Sequence, residues 1–430
     1  MKILKIIGTA VLLTAALAAC EKKPPDINNP AQADTKNKNL NGMTVTWLGS
    51  YDITKDSTAI ALFEETGAKI DYIYSPAIDI AYYTQLRMLN GEPVDMAEFN
   101  PDVFPKGYNM DIYEPLDSYA DMKLWDGAAK DLADSLAYNG KHYVLPTRIR
   151  MSSGLQYDKK LFEEENLEDP YDLYKGGKWT WGKFLEMSEE YTEKGTEQKP
   201  RYAVSGVFGV PAYYTGGDTF LKNDGTGWTA NTSAPTFANI GQILQNVSGM
   251  YLKDTDWHSS YNADNNALFH AMGDWSLDIA NTDNPDGDIS YVPFPKPEGA
   301  DRHYALAEFD AYLLVKDSPN AYGVAKYIEC ERIAESSDEY EKERREYVLN
   351  DRNITPEQYD LIKEYEKDVI PVYDYVLGLG KEITKTGEDS FYSRGALINT
   401  AEAILRDGMK WTEIADPIGD IINQALEAQQ

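Results

Sequence analysis

The chain has 430 residues, enough for two or three ordinary domains and a substantial core. Aromatic residues at 12%, with 31 tyrosines among them, exclude a disordered chain. With 41 Lys and Arg against 71 Asp and Glu the formal charge is −30, a field that repels nucleic acid and anionic membranes and removes both as ligands.

Lys2 and Lys5 precede an apolar run over 6–19, short of the roughly 20 residues that span a bilayer, so 1–19 reads as a signal peptide that is removed. Leu17-Ala18-Ala19-Cys20 resembles a bacterial lipobox, in which the small residues permit cleavage and Cys20 becomes the acylated first residue. The second cysteine, Cys330, sits in a helical context and reads as a small buried hydrophobe, so no internal disulfide is expected. Polar residues with Pro24, Pro25 and Pro30 make 20–42 an anchor and flexible tether.

Strands are predicted over 43–47, 70–74 and 94–99. Thr54 or Asp56 caps a helix with Ala59, Leu62 and Phe63 on one face and Gly67 at its end. A second helix from Asp79 carries Tyr82, Leu86 and Leu89 on one side and stops at Gly91. Strands alternating with helices predict a parallel, doubly wound sheet, whose ligand lies beyond the carboxyl ends of the strands. Those ends hold Trp47, Tyr51 and Asp52, then 74–76, then Phe99 and Asp102.

The turn Asn139-Gly140 leads into an alternating run, Tyr143, Leu145, Ile149 and Met151, interrupted by Pro146, which cannot donate a ladder hydrogen bond. A strand bent in this way suits a crossing between two sheets, and it leaves Arg148 and Arg150 on one face at the junction. The segment from Gly140 through Tyr143, Leu145-Pro146, Tyr157-Asp158-Lys159 and Leu161-Phe162 resembles the interlobe crossing of family 1 extracellular solute-binding proteins. The similarity continues through Trp179-Thr180-Trp181, Ala271-Met272 before Trp275, and Pro293-Phe294-Pro295-Lys296. The resemblance implies an α/β, two-lobed periplasmic-binding-protein-like fold, each lobe a doubly wound, mainly parallel sheet joined by a multi-crossing hinge. It also implies a carbohydrate-capturing lipoprotein of an ABC importer, with permease subunits as partners. The expected division is 43–147 with 312–350 for the first lobe, and 148–311 with 351–430 for the second.

Beyond the crossing, Thr180 caps a helix in which Trp181, Phe184 and Met187 share a face, and core packing is the better reading of those tryptophans. Over 207–228, glycines interleave with Tyr213, Tyr214 and Trp228; the rings either present a binding loop or pack downward. The return crossing is expected over 305–315, with Phe309 and Asp310 at its turn. The charged stretch 329–366 reads as a solvated helical layer. Phe391 and Tyr392 head a helix that ends at Gly408, and a last helix has Pro417 near its start.

No serine elbow, Walker loop or dinucleotide-binding glycine turn occurs, and the four histidines lie in no metal-ligand spacing. The expectation is therefore a binding protein that is no enzyme, with no metal or cofactor, acting as a monomer outside the cytoplasm. A glycan-active enzyme on the cell surface, and a sensor or adhesin built on the same fold, are the alternatives. What recurs is an aromatic ring beside a planar polar group: Tyr51 with Asp52, Phe99 with Asp102, Phe309 with Asp310. A flat ring covers the C–H face of a sugar while carboxylates and guanidinium groups take its hydroxyl rim. Trp275 matches the position where the family's tryptophan stacks on sugar, and Phe391 and Tyr392 lie near another such position. Arg148 and Arg150 suit an acidic sugar if both face the cleft, or pair with neighbouring acids.

Overall fold

The computed structural model describes residues 40–428 apart from 56, 102, 105, 224–227, 254–260, 262–265 and 378–395. Among these, the strands in chain order are β1 Thr44–Gly49, β2 Lys69–Tyr74, β3 Met96–Glu98, β4 Tyr113–Glu114, β5 Arg148–Met151, β6 Gly154–Asp158 and β7 Tyr202–Gly206. They continue as β8 Leu221–Asn223, β9 Trp228–Ala230, β10 Ala267–Met272, β11 Ile289–Val292, β12 Tyr304–Asp310, β13 Tyr312–Val315 and β14 Ile370–Val372.

Two separate sheets carry the two halves of the molecule. The first has the order β2-β1-β3-β13-β4 and the second β11-β6-β10-β7. In each sheet all strands but one run in the same direction. β1 runs parallel to β2 and β3, but β13, arriving from the return crossing, is antiparallel to β3 and β4. In the second sheet only β10 and β7 pair in parallel; β6 enters from the outgoing crossing and runs against both β10 and β11. The α/β layering comes from buried strands covered by helices, whereas the reversed strands come from the chain passing twice through the junction.

That junction is a third sheet, β14-β12-β5. Pro146 lies outside β5, which starts only at Arg148, so the proline bends the approach to the strand and not the strand itself. The return crossing is two strands, β12 and β13, broken at Ala311, where the chain leaves the junction for the first sheet.

The helix Thr58–Glu64 is capped by Ser57, whose Oγ accepts from the Ile60 N–H, and not by Thr54 or Asp56. With the helix Ala321–Ser336 it covers the outer face of the first sheet, where Phe63 meets Tyr327 edge to face at 5.5 Å. The helix Ile80–Asn90 keeps Tyr82, Leu86 and Leu89 on one side, and that side faces out. Ile80, Ala81 and Thr84 are buried, while Tyr82 and Leu89 are 59% and 79% exposed. Small side chains let the helix settle closely on β1 and β3, and the bulky stripe is left outside. In the helix Trp181–Glu193, Trp181, Phe184 and Met187 are buried under a Thr180 cap, in keeping with a core role. Cys330 is buried on the helix Ala321–Ser336, and burial pushes its thiol up to about 12. Pro417 lies inside the helix Trp411–Ala428, not near its start.

Gly206, at the end of β7, has a φ of +83°, and a Cβ there would meet the Ala271 carbonyl oxygen at 2.3 Å. Only glycine lets β7 and β10 close up at the edge that faces the junction.

Candidate functional site

β5 and β12 pair antiparallel, with Glu308 opposite Arg150, Phe309 opposite Ile149, and Asp310 opposite Arg148. Side chains alternate along a strand, so this ribbon has two unlike faces. One carries Arg148, Arg150, Glu308 and Asp310; the other carries Ile149 and Phe309. The sequence pairing of Phe309 with Asp310 is therefore corrected: adjacent residues of one strand point to opposite sides.

On the polar face the Arg150 fork is closed on Asp310, with Nη1 donating to Oδ2 at 3.0 Å and Nη2 to Oδ1 at 3.1 Å. Nη2 also reaches Glu308 Oε1 at 3.4 Å. Burial opposes the charge of Arg150, but the hydrogen bonds and charge of Asp310, with Glu308 and Asp274, more than offset it and hold the guanidinium above its ordinary pKa. Arg148 is looser, with Nε 3.7 Å from Glu335.

The carboxyl ends of strands from both sheets converge on this face, the place where open α/β sheets hold ligands. From the first sheet come Tyr51, two residues past β1, and Glu98 at the end of β3. Glu98 accepts from the Ser50 N–H at 2.6 Å and its hydroxyl at 2.7 Å. Tyr51 is 44% exposed as a residue. Burial, then Asp310 and Glu98, push its hydroxyl well above its ordinary pKa. From the second sheet come Asp274 and the half-buried Trp275, on a single 3-10 turn directly after β10. A Cβ on Gly273 would meet Trp275 Nε1 at 2.5 Å and the Ser152 carbonyl at 3.2 Å, so glycine is what lets the indole fold back over its own backbone.

Glu331, from the helix Ala321–Ser336, closes the base of this face. Half-buried as a residue, it accepts at its carboxylate from the Tyr327 hydroxyl. Its carboxyl is pushed up to about 7, first by burial and then by Glu335 and Asp310, against the hydrogen bonds of Tyr327 and Tyr312. A carboxyl raised from an ordinary 4.5 holds its proton longer in the folded chain. Its contribution to stability is thus full below about pH 4.5 and lost as pH rises through about 7. Glu331→Gln is expected to flatten the fall in urea-unfolding free energy between those values; an unchanged slope would exclude Glu331 as its source.

The other face of the ribbon is sealed by rings. Phe99 stacks on Phe309 at 5.1 Å and 17°, and Tyr373 packs edge-on to Phe309 at 5.0 Å. Trp228 stacks on Tyr138 at 5.7 Å and 22°, and the Tyr375 hydroxyl donates to the Leu136 carbonyl at 2.7 Å. Phe99, Phe309 and Trp228 belong to this seam, which joins the two halves away from the polar face.

Several expected site residues lie elsewhere. Trp47 is fully buried: its ring lies under Gly49, and Nε1 donates to the Tyr51 carbonyl at 3.1 Å, so it shapes the β1 terminus from beneath. Asp52 is spent on its own turn, accepting from the Thr54 N–H at 2.9 Å and hydroxyl at 2.6 Å, and these bonds hold it below the usual carboxylate range. Tyr213 and Tyr214 are fully buried, Tyr213 against Phe220 and Tyr214 donating to Asp374 at 3.2 Å. Tyr213 and Tyr214 pack downward because the helix Gly209–Tyr213 turns them into the second core, whereas Trp228 joins the seam. Asp102, Phe391 and Tyr392 lie outside the described residues. Glu98, Asp274, Glu308 and Glu331 were missed; Glu98 and Glu308 carry a signal, an acid at a strand end and one two residues before Asp310, but a helical Glu331 carries none.

Among the described residues no group of acids, histidines or cysteines could hold a metal ion, and no helix is long and apolar enough to cross a membrane.

A family model described as bacterial extracellular solute-binding protein matches residues 52–330. Solved structures share the fold. The chain is similar to the cyclic alpha-maltosyl-1,6-maltose binding protein from Arthrobacter globiformis, at 14% identity and a TM-score of 0.66 over 90% of this chain and 99% of that one. It is similar to the galacto-N-biose-/lacto-N-biose I-binding protein of the ABC transporter from Bifidobacterium longum, in complex with lacto-N-biose, at 13% identity and a TM-score of 0.62 over 90% and 97%. It is also similar to UgpB from Mycobacterium tuberculosis in complex with glycerophosphocholine, at 13% identity and a TM-score of 0.62 over 90% and 99%. No curated protein matches the chain.

Proposed function

Since the chain belongs to the bacterial extracellular solute-binding proteins, we propose that it is the substrate-binding lipoprotein of an ABC importer, anchored through Cys20, which captures a carbohydrate between its lobes. The lobes take the boundaries 43–147 with 312–350 and 148–311 with 351–430. Two packing relations support that division: the helix Ala321–Ser336 lies on the first sheet, and the helix Pro356–Asp368 lies against β11 of the second. The permease subunits are its partners, and the cargo leaves chemically unchanged.

The observation that carries this reading is the polar face of the β5–β12 ribbon, with Tyr51 of one sheet beside Asp310 and Glu98 and, from the other, Asp274, next to Trp275 in the chain, beside Arg150. A ring for a sugar face and fixed planar groups for its hydroxyls are the two things a saccharide needs. A ligand touching both sheets gains contacts in the closed form that the open form lacks, and the population shifts by that difference. A disaccharide of about 23 heavy atoms at about 0.3 kcal/mol each reaches about −7 kcal/mol, near micromolar, without any tight anchor.

Because Asp310 already fills the Arg150 fork, a uronate finds only the looser Arg148 guanidinium on this face, and a neutral saccharide is the better fit. A thermal-shift screen over neutral oligosaccharides, uronate oligosaccharides and glycerophosphocholine tests this. A neutral oligosaccharide at 100 times its Kd is expected to add about 2.7 kcal/mol of stability. Stabilisation by glycerophosphocholine alone would overturn the carbohydrate reading, and turnover of a bound oligosaccharide would turn the protein into an enzyme.

A further inference from the structure

Glu331, on the helix Ala321–Ser336, places a carboxyl beneath the polar face, and none of the charges acting on it most strongly is positive. Rings lead from it to that face. Tyr327 and Tyr312 meet edge to face at 5.3 Å, Tyr312 meets Trp47 at 5.2 Å, and Trp47 meets Tyr51 at 5.9 Å. The hydroxyls form a chain of their own: Tyr327 and Tyr312 bond to the Glu331 carboxylate, and Tyr312 bonds to the Tyr51 hydroxyl as well. Tyr51, on whose hydroxyl Asp310 and Glu98 act, is the end of this chain at the binding face.

The charges around Glu331 leave it uncompensated. Glu335 from its own helix and Asp310 from β12 both oppose its ionisation. The two guanidinium groups of β5 are engaged by these same acids, Arg150 on Asp310 and Arg148 3.7 Å from Glu335. The other charges packed on the helix are turned elsewhere. Lys326 and the Asp121 N–H serve Glu329, Arg332 donates to the Leu124 and Thr147 carbonyls, Arg344 of the helix Asp338–Asp351 donates to the Ala334 carbonyl, and Glu65 acts on Cys330.

An ionised Glu331 accepts from Tyr312, whose oxygen then accepts from Tyr51, so the Tyr51 proton is spent inward. A protonated Glu331 donates to a hydroxyl itself, which frees Tyr312 to donate to Tyr51 and leaves the Tyr51 O–H for a sugar oxygen. A saccharide on the face also displaces the water that screens Asp310 while bringing hydroxyls and no cation, and lost water disfavours the charged carboxyl. Proton and sugar therefore favour each other, and the coupling is reciprocal.

We infer that Glu331 is a positioning residue for the binding face, acting through Tyr312 and Tyr51, and that the chain holds a saccharide more tightly with Glu331 neutral than with it ionised. The inference rests on the carbohydrate reading of that face and adds its regulation. Without ligand the carboxyl is pushed up to about 7, so capture is favoured in mildly acid surroundings and weakens as pH rises through neutrality.

The test is calorimetric titration of the full chain with maltotriose, cellobiose and lacto-N-biose at about pH 5.5, 7.5 and 8.5, using buffers of different ionisation enthalpy at the middle value to count protons. A carboxyl about one unit higher in the complex gives binding about five to ten times tighter at the lowest pH than at the highest, with about half a proton taken up at the middle one. Glu331→Gln, which keeps the neutral shape, is expected to bind at every pH as tightly as the wild type does at the lowest, with no proton uptake. A flat wild-type profile or the absence of proton uptake overturns the inference whether or not the variant folds. So does a folded Glu331→Gln that binds as weakly as the ionised wild type at every pH. A slope that survives in the variant also overturns it and passes the effect to Glu366, a second buried acid with a raised pKa, on which Asp274 and Arg148 act. If none of the three saccharides binds at any of these pH values, the carbohydrate reading falls and the inference with it.

Discussion

Trp275→Ala is expected to weaken saccharide binding at least tenfold while leaving the fold intact. The indole sits at the carboxyl end of β10, half-buried, with its Nε1 edge laid over Gly273 and with Asp274 beside Arg150. A ring held this way is preorganised, so little rotamer freedom is lost when a sugar stacks on it. Tenfold corresponds to about 1.4 kcal/mol, within reach of one stacked ring that is desolvated on closure. Calorimetry on the wild type and the variant, with the saccharide that stabilises the protein, is the check. Equal affinities would take Trp275 out of the site.

A second large effect concerns stability. Asp374→Ala is expected to cost about 3 kcal/mol or more in urea unfolding, since a buried acceptor shared by several donors leaves each of them unsatisfied when it is removed. Asp374 is 1% exposed and accepts from the Phe220, Leu221 and Val376 N–H groups at 2.5, 3.3 and 3.0 Å, and from the Tyr214 hydroxyl at 3.2 Å. Burial pushes its carboxyl up to about 6 in spite of those four bonds. It ties the stretch after β14 to the chain entering β8, two segments of the second half some 150 residues apart in sequence. A loss below about 1 kcal/mol would mean that water replaces the carboxylate and that the segment is not held as described.

These two residues mark what the sequence could and could not reveal. Trp275 is visible as a candidate because a local pattern, Ala271-Met272 ahead of it, carries it. Asp374 is not, because its partners come from a distant segment and nothing near it in sequence departs from an ordinary turn. The same division runs through the fold. β1 and β2, and the helix stop at Gly91, follow from apolar period and glycine position. The direction of β6 and β13 follows from the chain's passage through the junction, which no local period encodes.

The Arg150–Asp310 pair shows the limit most sharply. Both residues are visible as candidates, yet only the β5–β12 register brings them face to face across 160 positions of sequence. Conversely, Phe309 and Asp310 are neighbours in sequence and are put on opposite faces of the ribbon by the alternation of a strand. Tyr213 and Tyr214 illustrate a third case: glycine-rich spacing with aromatic rings suits an open loop and a tight descent into the core equally well. Only the turn at Gly209–Tyr213 decides between them. Tyr82, Leu86 and Leu89 share a side as their period requires, but period alone does not say which way that side faces; Ile80, Ala81 and Thr84 take the sheet and the larger stripe is left outside.

The central claim is capture by closure around the polar face of the β5–β12 ribbon. Small-angle X-ray scattering on the protein with and without a saturating, stabilising saccharide tests it most directly. The account predicts that the radius of gyration falls on saturation and returns when the saccharide is dialysed away. A radius that stays constant while calorimetry records stoichiometric binding would contradict it.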